Sequence, residues 1–145
     1  MKNEFLDLSA EITAFSLVDL YGTGQADAYF QAVVKVIGEE LLAELISVYL
    51  NIQPNPDYSR QELLQRELFG HEKLGPIARN IIKLWYFGIW TQLPYAWSQS
   101  YGVLVNDVTF VINTSSYAEG LLWRAIKANP PGAKAPGFGS WAYPN

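Results

Sequence analysis

A chain of 145 residues, 50% hydrophobic and 17% charged, is sized for one globular domain with its own core. Its net charge of −4 and isoelectric point near 4.9 argue against a nucleic-acid partner, which needs a basic face. The absence of cysteine excludes disulfides, thiolate catalysis and cysteine-bound metal or iron–sulfur sites within the chain.

The opening MKNEFLDLSAEITAF places acidic residues where a secretory signal needs an apolar run. Phe5, Leu8, Ile12 and Phe15 recur at helical spacing and predict a first short helix. Gly22 and Gly24 break the chain, and Asp27 is a candidate cap for the next helix. AYFQAVVKVIGEELLAELISVYLN reads as that helix, a long one. Phe30, Val33, Val34, Ile37, Leu41, Leu45 and Val48 form its expected buried stripe, and Gly38 is where it would break. Pro54 and Pro56 mark a loop.

Ser59 with Glu62 spells a capping box and predicts a third helix ending near Phe69 and Gly70. Pro76 suits a first helical position, opening a fourth helix through IARNIIKLWYFGIW. Its second half is apolar all round, which predicts enclosure on every side, by its own fold or by a partner. The apolar run Ile81–Trp90 is about half a membrane span and contains Lys83, so no direct membrane span is expected. The basic residues are scattered and offer no run to grip an anionic membrane.

Two readings stand between Thr91 and Thr114: VLVNDVTFVI as a hairpin turning at Asn106-Asp107, or a loop with a short helical turn. Ser116 with Glu119 spells a second capping box and starts a last helix, YAEGLLWRAIKA, ending before Pro130. The expected fold is all-α: a compact helical domain of about five helices over 1–129, with an extended C-terminal arm over 130–145.

The chain offers little catalytic material. His71, the only histidine, sits beside Glu72 in a turn and reads as a solvated side chain; a metal site needs several converging ligands. Asp19 and Asp27 flank the glycine turn, where capping accounts for Asp27 better than paired acid–base work does. YGTGQAD lacks the third glycine and preceding strand of a dinucleotide fingerprint, and GFGS precedes no helix. No nucleophile elbow occurs. No catalytic, cofactor-binding or metal-ligating residue is therefore assigned.

Aromatic residues are the more telling feature, at 14% of the chain with five Trp and nine Tyr. Surface aromatics are enriched in binding interfaces. Trp85, Tyr86, Phe87 and Trp90 cluster in LWYFGIW, where core packing is the plainer reading. The closing stretch NPPGAKAPGFGSWAYPN combines Pro130, Pro131, Pro136 and Pro144 with Phe138, Trp141 and Tyr143. Ordering each of its residues costs about 1–2 kcal/mol of backbone entropy. Burying one large side chain returns about 1.5–3 kcal/mol. The stretch is thus expected to order only where its rings dock, on this domain or on a partner. Fully extended it reaches about 50 Å.

LGPIARNIIKLWYFGIW and SSYAEGLLWRAIKANPPGAKAPGFGSWA, with FLDLSAEITAF near the start, carry a resemblance. They resemble the small (gamma) subunits of membrane-bound FAD-dependent sugar and polyol dehydrogenases, the sorbitol, fructose, gluconate and glucose dehydrogenase group. The resemblance covers most of the chain and is most specific from Pro130 to Trp141. It implies an accessory subunit that binds, stabilises and assists maturation or export of a large FAD-containing dehydrogenase subunit. FAD would then belong to that partner and not to this chain, and a cytochrome c subunit could complete the complex.

On this reading the partner-binding residues are Pro130, Pro131, Lys134, Pro136, Phe138 and Trp141, with Tyr117, Leu121 and Trp123 on the preceding helix. Packing within the chain is the alternative for each ring, and solvation for Lys134. The resemblance also implies a periplasmic location. The residues given contain no twin-arginine segment, which leaves a cytoplasmic location open. Two other classes stay open: a stand-alone enzyme or binding protein for a small sugar-like molecule, using aromatic platforms with Asp19 or Asp27, and a self-associating helical scaffold.

Overall fold

The computed structural model describes residues 1–126, and they form a mostly helical domain. Helix α1 (Lys2–Thr13) ends where Ala14 turns left-handed at φ 62°. Helix α2 (Leu17–Gly22) has no signature in the apolar periodicity; its origin is local. The Ser16 hydroxyl accepts from the Asp19 amide at 3.1 Å, and the Asp19 carboxylate accepts from the Ser16 amide at 3.3 Å. Asp27 does not cap α3 (Ala26–Ile37): the cap position is Gln25, and Asp27 lies in the first turn, ion-paired with Lys2.

The long helix does break at Gly38, into α3 and α4 (Glu39–Leu50). Gly38 has φ +85°, a conformation that costs a side chain energy and costs glycine none. The break also shifts the buried stripe. Tyr29, Val33, Leu42, Leu45 and Ile46 are buried, whereas Phe30, Val34, Leu41 and Val48 only pack partly against the core. A single-phase helix is the wrong frame, because the two halves meet the core with different rotations.

The capping box at Ser59 forms as spelled: the Ser59 hydroxyl accepts from the Glu62 amide, and the Glu62 carboxylate accepts from the Ser59 amide, each at 3.1 Å. Helix α5 (Arg60–Leu64) then widens into a π-helical turn, Gln65–Phe69, closed by the Gly70 amide donating to the Gln65 carbonyl at 2.8 Å.

Helix α6 (Gly75–Phe87) is the hub, packing against α1, α3, the π-turn and the last helix. Ile77, Ala78, Ile81, Leu84 and Trp85 are all fully buried. The Trp85 ring meets Tyr29 edge-on at 4.8 Å and stacks on Phe5 at 6.5 Å. Contrary to the sequence expectation, α6 stops at Phe87, and this chain's own fold does not cover it all round. Gly88 takes φ +70°, and a Cβ there would sit 2.4 Å from the Ser116 backbone, so chain crossing as well as conformation demands glycine. Phe87 remains 43% exposed.

The next residues are not helix but strand. β1 (Ile89–Trp90) pairs antiparallel with β2 (Phe110–Val111), Ile89 opposite Val111 and Trp90 opposite Phe110. Between them stands α7 (Tyr95–Tyr101), anchored by the Trp97 indole donating to the Lys73 carbonyl at 2.7 Å. Of the two readings for this stretch, the hairpin turning at Asn106-Asp107 does not form, and the loop with a short helix does; Asn106 and Asp107 fasten that loop to the domain.

The second capping box also fails. The Ser116 hydroxyl donates to the carbonyls of Gly88 and Asn113, both at 2.9 Å, and the last helix, α8 (Leu121–Ala125), starts after Gly120. Eight α-helices thus replace the expected five or so among the described residues. The surplus comes from the Gly38 break, the Ser16 box and α7. None of these helices is long and apolar enough to cross a membrane. The expected arm, 130–145, lies outside the described residues.

Candidate interaction surface

The residues named for partner contact divide sharply. Leu121 is fully buried in the domain's own core, on the face of α8 turned to α6. It is a packing residue, which corrects its assignment to a contact surface. Tyr117 is 48% exposed, and its ring meets the half-buried Trp123 edge-on at 5.5 Å. The Trp123 indole N–H donates to the Tyr117 carbonyl at 3.0 Å, so the ring pair is held by its own backbone. Pro130, Pro131, Lys134, Pro136, Phe138 and Trp141 lie outside the described residues.

A side chain of α8 reaches α2. The Arg124 guanidinium donates to the Asp19 carbonyl at 2.9 Å and stands 4.0 Å from its carboxylate. Exposed apolar side chains stand on α2 and next to α8: Val18 is 80% exposed, Leu17 and Tyr21 are exposed on the same short helix, and Ile126, the residue after α8, is exposed too. Residues 127–145 continue the chain from Ile126. Periodicity could not have found Leu17, Val18 and Tyr21, because α2 is a six-residue helix set up by Ser16 and Asp19.

A second apolar exterior occupies the 95–111 segment. Between Lys83 and Glu119 the only charged residue is Asp107, and Asp107 is buried. Its carboxylate accepts from the Trp90 indole at 2.9 Å and from the Leu93 amide at 3.1 Å. Asn106 reaches across to donate to the Lys35 carbonyl at 3.2 Å. With the one charged side chain turned inward, Val103, Val105, Val108 and Val111 stand exposed, Val105 at 90%.

The polar clusters are structural by geometry. Glu11 accepts from the Tyr49 hydroxyl at 2.8 Å and from Arg60 Nε and Nη2 at 2.8 and 2.9 Å, joining α1, α4 and α5. The Arg60 guanidinium, helped by Tyr49, holds the Glu11 carboxyl below its usual range. Burial first, then the Glu11 carboxylate, pushes Tyr49 up to about 12. Beside this cluster runs a cleft of about 600 Å³, whose lining includes Tyr58 and Arg66, with the Arg66 guanidinium 4.4 Å over the Tyr58 ring. His71 is half-buried and its Nδ1 accepts from the Leu74 amide at 3.1 Å, a turn contact and not the solvated role expected. Asp19 serves the Ser16 cap and Asp27 serves Lys2, so neither is held for acid–base work. Among the described residues, no three His, Asp or Glu side chains are grouped to hold a metal ion.

Compared with family models, curated proteins and solved structures, the chain matches none of them.

Proposed function

We propose that this chain is an accessory, non-catalytic subunit that binds and stabilises a larger protein. The partner suggested by the resemblance is the large FAD-containing subunit of a sugar or polyol dehydrogenase. The observation that supports this reading best is the set of exposed apolar side chains on α2 and around α8, two helices linked by Arg124 and Asp19. Val18 and Tyr21 are exposed on α2, Tyr117 and Ile126 are exposed on either side of α8, and Ile126 is followed in sequence by the proline- and aromatic-rich residues. Isolated exposed apolar side chains are ordinary, but several on adjoining segments are what a docking face presents.

In this reading FAD and the reacting sugar stay in the partner. The rings of Tyr117, Phe138 and Trp141 would supply contact area, and the prolines would lower the entropy lost on docking. The expected place is the periplasm, reached with the partner.

Co-expression with the large flavoprotein subunit tests the reading. The full chain should recover a yellow, active complex, while a chain stopped at Asn129 should lose most of the co-purifying flavin absorbance. A large subunit that is yellow, active and equally stable without any small chain would overturn it.

A further inference from the structure

The two-stranded sheet has an unprotected edge. Its register fixes which backbone groups face outward. The Ile112 amide donates to the Gly88 carbonyl at 3.1 Å, so Gly88–Ile112 is a hydrogen-bonded pair. By alternation Trp90–Phe110 is the next such pair, and Ile89–Val111 between them is a non-hydrogen-bonded pair. The N–H and C=O of Val111 therefore both point away from β1. Neither has a hydrogen-bond partner among the described residues, and Val111 itself is 56% exposed.

Proteins usually blunt such an edge with lysine, proline or an inward charge. Here the flanking residues are Val108, Thr109, Phe110 and Ile112, and Asp107 is spent inside on Trp90 and Leu93. We infer that β2 pairs with β2 of a second copy of this chain, making a continuous four-stranded antiparallel sheet about a twofold axis at Val111.

Three features favour a second copy as the occupant. An outward residue offering both donor and acceptor satisfies itself across a twofold axis, each Val111 amide donating to the other Val111 carbonyl. For a chain of net charge −4, meeting its copy through an uncharged face brings no like charges close together, and the exposed residues between Lys83 and Glu119 carry none. Val103, Val105, Val108 and Val111 come from one segment, so the same apolar side chains would meet from both sides. With only a two-residue strand to pair, the contact belongs to the small, reversible class. This association uses residues other than those of the proposed docking end and stands independently of that function.

Light scattering and sedimentation of the full chain across about 1–200 µM test it. The unaltered chain should pass from monomer to dimer in that range, and the Val111 amide should gain hydrogen-exchange protection as concentration rises. Val111→Pro removes the outward amide without touching a bond the monomer makes, and Val111→Lys places two charges across the axis. Each should weaken dimerisation by about ten-fold or more, with far-ultraviolet circular dichroism unchanged. Val18→Lys, a comparable charge on the α2 surface, should leave dimerisation unaltered. A chain monomeric throughout, or a dimer indifferent to both Val111 variants, would overturn the inference.

Discussion

The helical body from α1 to α6 and the segment from Leu93 to Ile112 are built on opposite plans. In the body most apolar side chains go inside, α2 with its exposed Val18 and Tyr21 excepted, and charges stay out or pair, as Glu11 does with Arg60. In the segment, four valines stand outside and a carboxylate stands inside. The body is organised by its core. The segment is held by Leu93 and Trp97, which reach the core, and by a few directed hydrogen bonds: Asp107 to Trp90 and Leu93, Asn106 to Lys35, and Trp97 to Lys73. That leaves its four exposed valines free for contact. An exterior of this kind contributes little to folding and is explained by something it touches.

The sharpest break of the comparison is in the body. Trp85→Ala empties the space between Tyr29 and Phe5 and should cost about 3–5 kcal/mol, read from urea unfolding. Next comes the one residue on which the segment depends. Asp107→Ala leaves the buried Trp90 indole and the Leu93 amide without acceptors and should cost about 2–3 kcal/mol. Asp107→Asn keeps a carbonyl acceptor and should cost less. A smaller effect tests the ion pairing of the body. The Glu11 carboxyl is lowered in the folded state, chiefly by Arg60. Its contribution is therefore complete above the ordinary carboxylate value of 4.5 and fades as pH falls through the lower folded value. Glu11→Gln should flatten that acid limb and lower neutral stability by about 1 kcal/mol or less, because the pair is largely solvated. The smallest effect is Val105→Ser, which should move stability by no more than about 0.5 kcal/mol.

The same division governs what could be read from the residues. Ser59 and Glu62 were legible because both partners of the box lie within four residues and nothing distant competes. Ser116 and Glu119 have the same spelling, but the Ser116 side chain is drawn to the Gly88 carbonyl across the fold, and the Glu119 amide donates to the Ser115 carbonyl at 3.1 Å instead. No local pattern reports such a competitor. Gly38 announced its break; the change of rotational phase beyond it was set by packing. At the candidate surface, Tyr117 and Trp123 were recognisable as a pair of large rings. Leu121 was misplaced because which side of α8 meets α6 depends on Gly120 lying against the Tyr86 carbonyl. The valines of VLVNDVTFV were visible too, but alternation suggested a hairpin. Only the buried side chain of Asp107 shows which way the segment faces.

One double variant, Val105→Lys with Val108→Lys, tests the central claim that this exterior serves contact and not the fold. Its thermal midpoint and its light scattering should be measured on the same sample. The midpoint should stay within about 2 °C of the unaltered chain while self-association is lost. A midpoint lowered by about 8 °C or more, with self-association intact, would contradict it and make the valines part of the fold.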